Sequence, residues 1–89
     1  MKYRSTPVFD ENSLPAALKA EHRTKTGVWA VIRVLEGELR LTLLDRNEEA
    51  ILAPGRPGIV APEQPHSVTP LGHMRMQVDF HDAPPTECP

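Results

Sequence analysis

One stretch with a glycine near its centre constrains this chain more than any other feature. Residues 28–35 (VWAVIRVL) are apolar and rich in β-branched side chains on both faces, which is typical of a strand buried on both sides. Residues 38–44 (ELRLTLL) alternate leucine with polar residues, which predicts a strand with one buried face. Between them, Glu36 and Gly37 predict a tight two-residue hairpin. A helix is the rival interpretation, because leucine and glutamate are good helix formers, but the period of two and the central glycine disfavour it.

Short apolar runs separated by turn signals continue along the rest of the chain. The ten prolines against five glycines predict many chain reversals and no long helix. Further strands are predicted at residues 50–52, 59–60, 66–69 and 73–81, and one or two helical turns within residues 12–20. The strand at 73–81 alternates, with one face formed by Met74, Met76, Val78 and Phe80 and the other by His73, Arg75, Gln77, Asp79 and His81. Several short strands at such close spacing predict an all-β barrel or jelly roll.

The chain length sets the domain organisation. Eighty-nine residues make one domain, predicted here to span residues 1–82, and residues 83–89 (APPTECP) read as a disordered tail. A lone cysteine excludes an internal disulfide, so stability must come from packing. Because the core is small and the strand at 28–35 is apolar on both faces, we expect a homodimer.

Charge and hydropathy exclude two classes of partner. The net charge of −2 comes from interspersed signs, without the basic stripe that nucleic-acid binding needs. No apolar run approaches the ~20 residues of a membrane span, and the N-terminus lacks the apolar core of a signal peptide. The sequence therefore predicts a cytoplasmic protein that binds neither nucleic acid nor membrane.

Two segments of the chain resemble the TehB/YeaR-like domain family. The first comprises residues 6–9 (TPVF), 12–15 (NSLP) and 22–29 (HRTKTGVW), and the second residues 62–66 (PEQPH) and 78–80 (VDF). The pattern H-x-T-K-x-G-x-W is fairly specific, whereas P-E-x-x-H alone is not. The likeness covers roughly residues 5–82.

The resemblance implies a small cupin-like jelly-roll β-barrel with a short N-terminal helical turn. In some bacteria the family's domain is fused ahead of a methyltransferase that uses S-adenosyl-L-methionine (SAM) and is implicated in tellurite resistance. This sequence contains no glycine-rich SAM loop, so methyltransferase activity is not carried over to it. The ligand positions of a conventional metal-binding cupin fall on Thr24, Thr26 and Ala30, and only His66 resembles an expected histidine.

Two histidines and an aspartate are the candidate metal ligands. His66 follows a proline turn that restricts the entry angle of its strand, and imidazole both titrates near neutrality and binds Zn²⁺. His22 precedes the first long strand, and with Asp79 the two histidines give a three-ligand site for zinc or a similar divalent metal ion. The plainer interpretations are a hydrogen-bonded histidine at the barrel mouth for His66 and an exposed loop residue for His22.

Three further residues are candidates for ligand binding. Lys25 is placed to bind an anion, although a lone lysine is more often a solvated charge. Trp29 is the only tryptophan, and core packing is its first interpretation. Arg33 lies in an otherwise apolar strand, so it must pair with a carboxylate or line the cavity.

These features lead to three hypotheses about function. The leading one is a non-enzymatic binding or sensing module, associated with tellurite or a related stress, whose cavity takes a small anion or a metal ion. The expected partner is accordingly a small molecule or an oxyanion. The second is a metal-dependent enzyme that acts on a small molecule through His22, His66 and Asp79. The third is a structural domain that self-associates.

Overall fold

The computed structural model describes residues 2–85, which are mostly β. The elements in chain order are β1 (Lys2–Ser5), β2 (Phe9–Asp10), α1 (Ala16–Lys19), β3 (Trp29–Glu36), β4 (Leu39–Leu43), β5 (Glu48–Leu52), β6 (Gly58–Val60), β7 (His66–Pro70) and β8 (Arg75–His81). The predicted all-β class and the short N-terminal helical turn are confirmed. Each strand predicted after the central glycine is present, with bounds that differ by one or two residues.

Within residues 2–85 the strands form two antiparallel sheets. The first has the order β1-β8-β3-β6, with β2 also paired to β8, and the second has the order β5-β4-β7. The sheets pack face to face, since a Cβ added at Gly58 of the first would lie 2.8 Å from a methyl group of Leu41 in the second. No strand pairing joins the two sheets in this part of the chain, so the closed barrel that the sequence predicted is not seen.

The link at Glu36 and Gly37 is a corner between the sheets. β3 pairs with β6 and β8, whereas β4 pairs with β5 and β7, so the predicted hairpin is wrong. Gly37 has φ 77°, and a Cβ there would overlap the carbonyl oxygen of His73. A glycine with positive φ suits a hairpin or a corner equally well, and the pairing of the flanking strands decides which one forms.

The central strand β3 is buried on one face only. Ala30, Ile32 and Val34 point into the core, while Trp29 and the other outward residues are half-buried or exposed. The prediction of burial on both faces is therefore wrong, and Trp29 is not part of the buried core. The core consists of Leu14, Ala30, Ile32, Val34, Leu39, Leu41, Leu52, Val60, Val68, Met74, Met76 and Val78.

Strand β8 follows the alternation predicted for it. Met76 and Val78 are buried against the core, with Phe80 packed beside them, and Gln77 and Asp79 lie on the opposite face. Across from β8, Val31 of β3 pairs with Asp79. The two long strands of the first sheet thus present an apolar inner face, and an outer face that carries Gln77 and Asp79 on β8 beside Val31 and Trp29 on β3.

The chain ends are described in part. No helix among residues 2–85 is long and apolar enough to cross a membrane. The last strand ends at His81, and residues 86–89 of the predicted tail lie outside the described residues. The division into a domain at 1–82 and a tail at 83–89 stays a prediction.

Candidate functional site

An apolar pocket of about 260 Å³ opens between the two sheets beside α1. Its walls come from both sheets and from the N-terminal segment, and include Phe9, Leu18, Ile32, Val68, Met76 and Val78. Protein cores are close-packed, with few voids larger than a water molecule. An opening of this size is therefore a candidate binding site.

His22 and His66 lie together in the wall of this pocket. The amide of His22 donates to the carbonyl of His66 at 2.8 Å, and the amide of His66 donates back to the carbonyl of His22 at 2.9 Å. The two rings meet edge to face, with centroids 5.4 Å apart. Residues far apart in the sequence are thus held side by side by a short antiparallel bridge.

The ring of His66 is held in one neutral tautomer. Its Nδ1 lies 2.9 Å from the carbonyl oxygen of Gln64, and because a carbonyl oxygen only accepts, Nδ1 carries the proton. Burial lowers the pKa of His66, and the nearby His22 lowers it further, although the bond to Gln64 opposes both. The neutral ring leaves Nε2 with a free lone pair.

His22 contributes a different feature. Its Nδ1 is buried and has no hydrogen-bond partner, and it is the one such side-chain atom in the described part of the chain. A buried polar atom without a partner costs about 1–3 kcal/mol of stability. Such atoms are rare in folded proteins and mark places where a polar group is held for another purpose.

Asp79 does not join the two histidines. It lies on the outer face of β8, where it accepts a hydrogen bond from Ser5 Oγ at 2.6 Å and from Arg33 Nε at 2.6 Å. Among residues 2–85 no three histidine, cysteine, aspartate or glutamate side chains are grouped to hold a metal ion. The predicted set of three ligands is therefore not brought together, and the divalent metal ion stays a prediction.

The other predicted ligand residues do not line the apolar pocket, although Lys25 and His22 together line a neighbouring cavity. Arg33 is paired with Asp79, the kind of carboxylate partner the sequence required, and its Nη2 also donates to Gln77 Oε1 at 2.8 Å. Trp29 is half-buried on the outer face of β3, and Lys25 is exposed on the preceding loop. Of the five predicted ligand-binding residues, only His22 and His66 line the apolar pocket.

Sequence reasoning missed most of the pocket. The inward residues of β3 and β8 read as core, because an apolar side chain facing a cavity has the same local pattern as one in a packed interior. Arg4 was also missed. Its guanidinium lies 5.1 Å from the centre of the Phe80 ring, a cation–π contact at the rim of the pocket. Nothing in the sequence distinguishes this arginine from a solvated one.

Comparison with known proteins relates the chain to one family. Residues 4–78 match the family described as TehB-like domain. A probable S-adenosyl-L-methionine-dependent methyltransferase TehB from Haemophilus influenzae strain Rd is 35% identical over 49 residues, which is 55% of this chain and 17% of the relative. The protein of the same name from strain 10810 is 31% identical over the same length. The chain thus spans about a sixth of these curated relatives.

Two solved structures resemble the fold. A protein from Escherichia coli K12 superposes with a TM-score of 0.84 over 96% of this chain and 92% of its own, at 22% identity, which shows the fold alone. The crystal structure of TehB from Haemophilus influenzae superposes with a TM-score of 0.79 and 28% identity, over 90% of this chain and 30% of TehB.

These relatives overturn the predicted function. The chain was expected to be a sensing or binding module that takes a small anion or a metal ion, but the curated relatives that it matches are named as SAM-dependent methyltransferases. The ion-binding prediction is wrong.

Proposed function

Because the chain belongs to the TehB-like domain family, we propose that it serves SAM-dependent methyl transfer as an accessory domain whose pocket holds a small uncharged molecule of that reaction. One observation carries the proposal: an apolar pocket of about 260 Å³ lies in a domain that matches 30% of a TehB chain. We also propose that the protein is cytoplasmic, as the sequence predicts.

The size of the pocket limits its occupant. An apolar cavity of ~150 Å³ binds benzene, whereas drug-sized ligands need ~300–1,000 Å³. A pocket of about 260 Å³ therefore suits one ring or a short chain with a substituent.

The lining of the pocket argues for an uncharged occupant. An unpaired ion taken from water into an apolar site costs several kcal/mol. Among the described residues of the lining, Arg4 is the one fixed charge, and its guanidinium already lies over the Phe80 ring at the rim. The inner walls are formed by aliphatic and thioether side chains such as Ile32 and Met76.

We also propose that the two sheets form an open version of the cupin-like jelly roll. In support, β3 pairs with β8 in the first sheet, and β4 pairs with β7 in the second. The consecutive strands β3 and β4 are therefore paired with the consecutive strands β7 and β8 in both sheets. A jelly roll is built by wrapping paired strands in this way.

The homodimer remains part of the proposal. Val31 of β3 and Ile59 of β6 lie opposite one another in register on the outer face of the first sheet, where Ile59 is 37% exposed. Together with the half-buried Trp29 they give this face an apolar strip that a second copy would cover.

The test of the accessory role is a chimaera. This chain replaces the matching domain of Haemophilus influenzae TehB, and transfer of a labelled methyl group from SAM is measured with two acceptors, tellurite and benzyl mercaptan. We expect a lower KM for the uncharged thiol than the methyltransferase part shows alone, because the pocket raises the local concentration of an uncharged acceptor.

A pair of variants on α1 makes this test specific. Ala17 lines the pocket and its neighbour Ala16 does not, and both are exposed. Ala17→Trp is expected to raise the KM for the thiol about tenfold, equivalent to about 1.4 kcal/mol, and Ala16→Trp to leave it unchanged. Equal KM values for both variants and for the methyltransferase part alone would show that the pocket plays no part in the reaction.

A further inference from the structure

His66 gives the lining of the apolar pocket a hydrogen-bond acceptor whose tautomer is fixed. Nδ1 of His66 is occupied by the carbonyl of Gln64. No other hydrogen bond of this ring forms within residues 2–85, so Nε2 is left as an acceptor. Residue and ring are held in place by the backbone bridge to His22 and by burial, since His66 is 4% exposed.

The neighbouring His22 differs from His66 in which ring nitrogen is accessible. Nδ1 of His22 is closed off from solvent, so a molecule that enters the pocket does not reach it. The edge-to-face contact with the ring of His66, at 5.4 Å, instead restricts how that ring can turn. His22 is a positioning residue here, and His66 is the residue that touches the occupant.

We infer that the pocket selects small uncharged molecules that carry one X–H group, such as a phenol or a thiol, and that this group donates its hydrogen bond to Nε2 of His66. The inference rests on the pocket of the proposed function and adds the chemical class of its occupant. An apolar body fills the space between the sheets, and the X–H group pairs the nitrogen that otherwise has no partner. A site built to accept one hydrogen bond discriminates strongly against an analogue that lacks the donor.

Methylation removes the X–H group that donates the hydrogen bond to Nε2 of His66. In methyl transfer the lone pair of X forms the new C–X bond, the electrons of the broken C–S bond stay on the sulfur of S-adenosylhomocysteine, and the X–H proton passes to solvent. The product X–CH₃ has no X–H group with which to donate a hydrogen bond, and its methyl group lies against Nε2 of His66. Leaving that nitrogen unpaired costs about 1–3 kcal/mol. The pocket therefore holds the unmethylated acceptor and releases the methylated product.

A matched set of ligands tests the inference on the unaltered chain. Phenol, anisole and toluene are titrated at pH 7.5, where all three are uncharged, and binding is followed by ¹H–¹⁵N NMR. We expect phenol to bind about tenfold more tightly than anisole, or about 1.4 kcal/mol. The ¹⁵N resonance of His66 Nε2 is expected to move upfield with phenol and to stay in place with anisole and toluene.

Substitution of the histidines separates the two roles. His66→Phe removes the acceptor, keeps an aromatic ring, and is expected to bind phenol and anisole equally. His22→Phe keeps Nε2 of His66, and it is expected to retain the preference for phenol. The nitrogen resonance in the unaltered chain provides the test even if His66→Phe does not fold.

Three outcomes would overturn the inference, and they point to different errors. Equal binding of phenol and anisole by the unaltered chain, with no shift of the Nε2 resonance, leaves the pocket but removes the selection by His66. Tighter binding of benzoate than of phenol shows that Arg4 selects an anion instead. Absence of binding by all of these ligands overturns the pocket of the proposed function, and the inference with it.

Discussion

Polar side chains on the outer face of strands β3 and β8 are paired by hydrogen bonds, whereas those of the pocket against the inner face are not fully paired. On the outer face, Asp79 accepts hydrogen bonds from Ser5 and from two nitrogens of Arg33, and Arg33 also donates to Gln77. Against the inner face lies the pocket, to which the loop before β3 contributes His22 and β7 contributes His66. Among residues 2–85, Nδ1 of His22 is buried without a partner and Nε2 of His66 makes no hydrogen bond.

The difference separates structural from functional polar residues. A buried polar group that is fully paired stabilises the fold, whereas one left unpaired costs free energy that the protein accepts when the group is needed elsewhere. By this criterion the Arg33–Asp79 cluster belongs to the fold, and the His22–His66 pair is assigned to the proposed site. The sequence alone ranked all four as site candidates.

The largest expected effect is the loss of the outer carboxylate. Asp79→Ala removes the bonds from Ser5 and Arg33, and should lower the free energy of unfolding by about 2–3 kcal/mol in urea denaturation. This range is kept low because the Arg33 side chain is 39% exposed and water replaces part of the lost pairing. Glu48→Ala is the control, because its contact with Arg46 at 3.9 Å is exposed and should contribute under ~0.5 kcal/mol. Equal losses would end the distinction between the two faces.

Next in size is an effect on association through the outer face. Ile59→Lys places a charge in the apolar strip beside Val31, and should weaken the homodimer about tenfold, or by about 1.4 kcal/mol. Ile51→Lys makes the same chemical change on the second sheet, where Ile51 is 40% exposed, and should leave the dimer intact. Sedimentation equilibrium at micromolar concentration measures both. A 9.9 kDa species for the unaltered chain at every concentration would exclude the dimer.

An increase in the stability of the protein is expected from a substitution in the pocket lining. His22→Phe replaces a buried, unpartnered nitrogen with an apolar ring of similar shape, and should raise the free energy of unfolding by about 1 kcal/mol. His73→Phe is the matched surface change. It removes the contact with Glu11 at 3.2 Å and should not stabilise the chain. If His22→Phe destabilises the protein, Nδ1 of His22 has a hydrogen-bond partner in solution, and the pocket does not differ from the outer face in this respect.

The smallest expected effect is on the pH dependence of stability. His66 and His73 should change the stability in opposite directions as the pH falls. Burial lowers the pKa of His66 below its ordinary 6.5, so its contribution is complete above about pH 6.5 and is lost as the pH falls through the folded pKa. The hydrogen bond to Glu11 raises the pKa of His73, so its contribution is complete below about pH 6.5 and is lost as the pH rises through the folded pKa.

Denaturation from pH 5 to pH 8 measures these two contributions. His66→Gln should flatten the loss of stability on acidification, and His73→Gln should steepen it. Identical pH profiles for the two variants would contradict the assignment of one histidine to the interior and the other to the surface.

The strands and the faces of β8 were predictable because alternation is a local property of the chain, whereas β3 was wrongly expected to be buried on both faces. Met76 and Val78 were assigned to one face of β8 and Asp79 to the other, and the structure has them so. The requirement that Arg33 have a partner was also local, since a charge in an apolar strand has to be paired. Its partner, Asp79, lies far along the sequence and was instead assigned to a metal site.

The sequence by itself determined that this chain is a small β protein of the TehB-like family, and that β8 has an inner and an outer face. Only the tertiary structure decided that the corner at Gly37 separates two sheets, that His22 meets His66, and that the inner faces leave a pocket. The physical reason is that side-chain periodicity depends on neighbours two residues away. Strand partners and cavities depend instead on contacts between distant residues, and these exist only once the chain is folded.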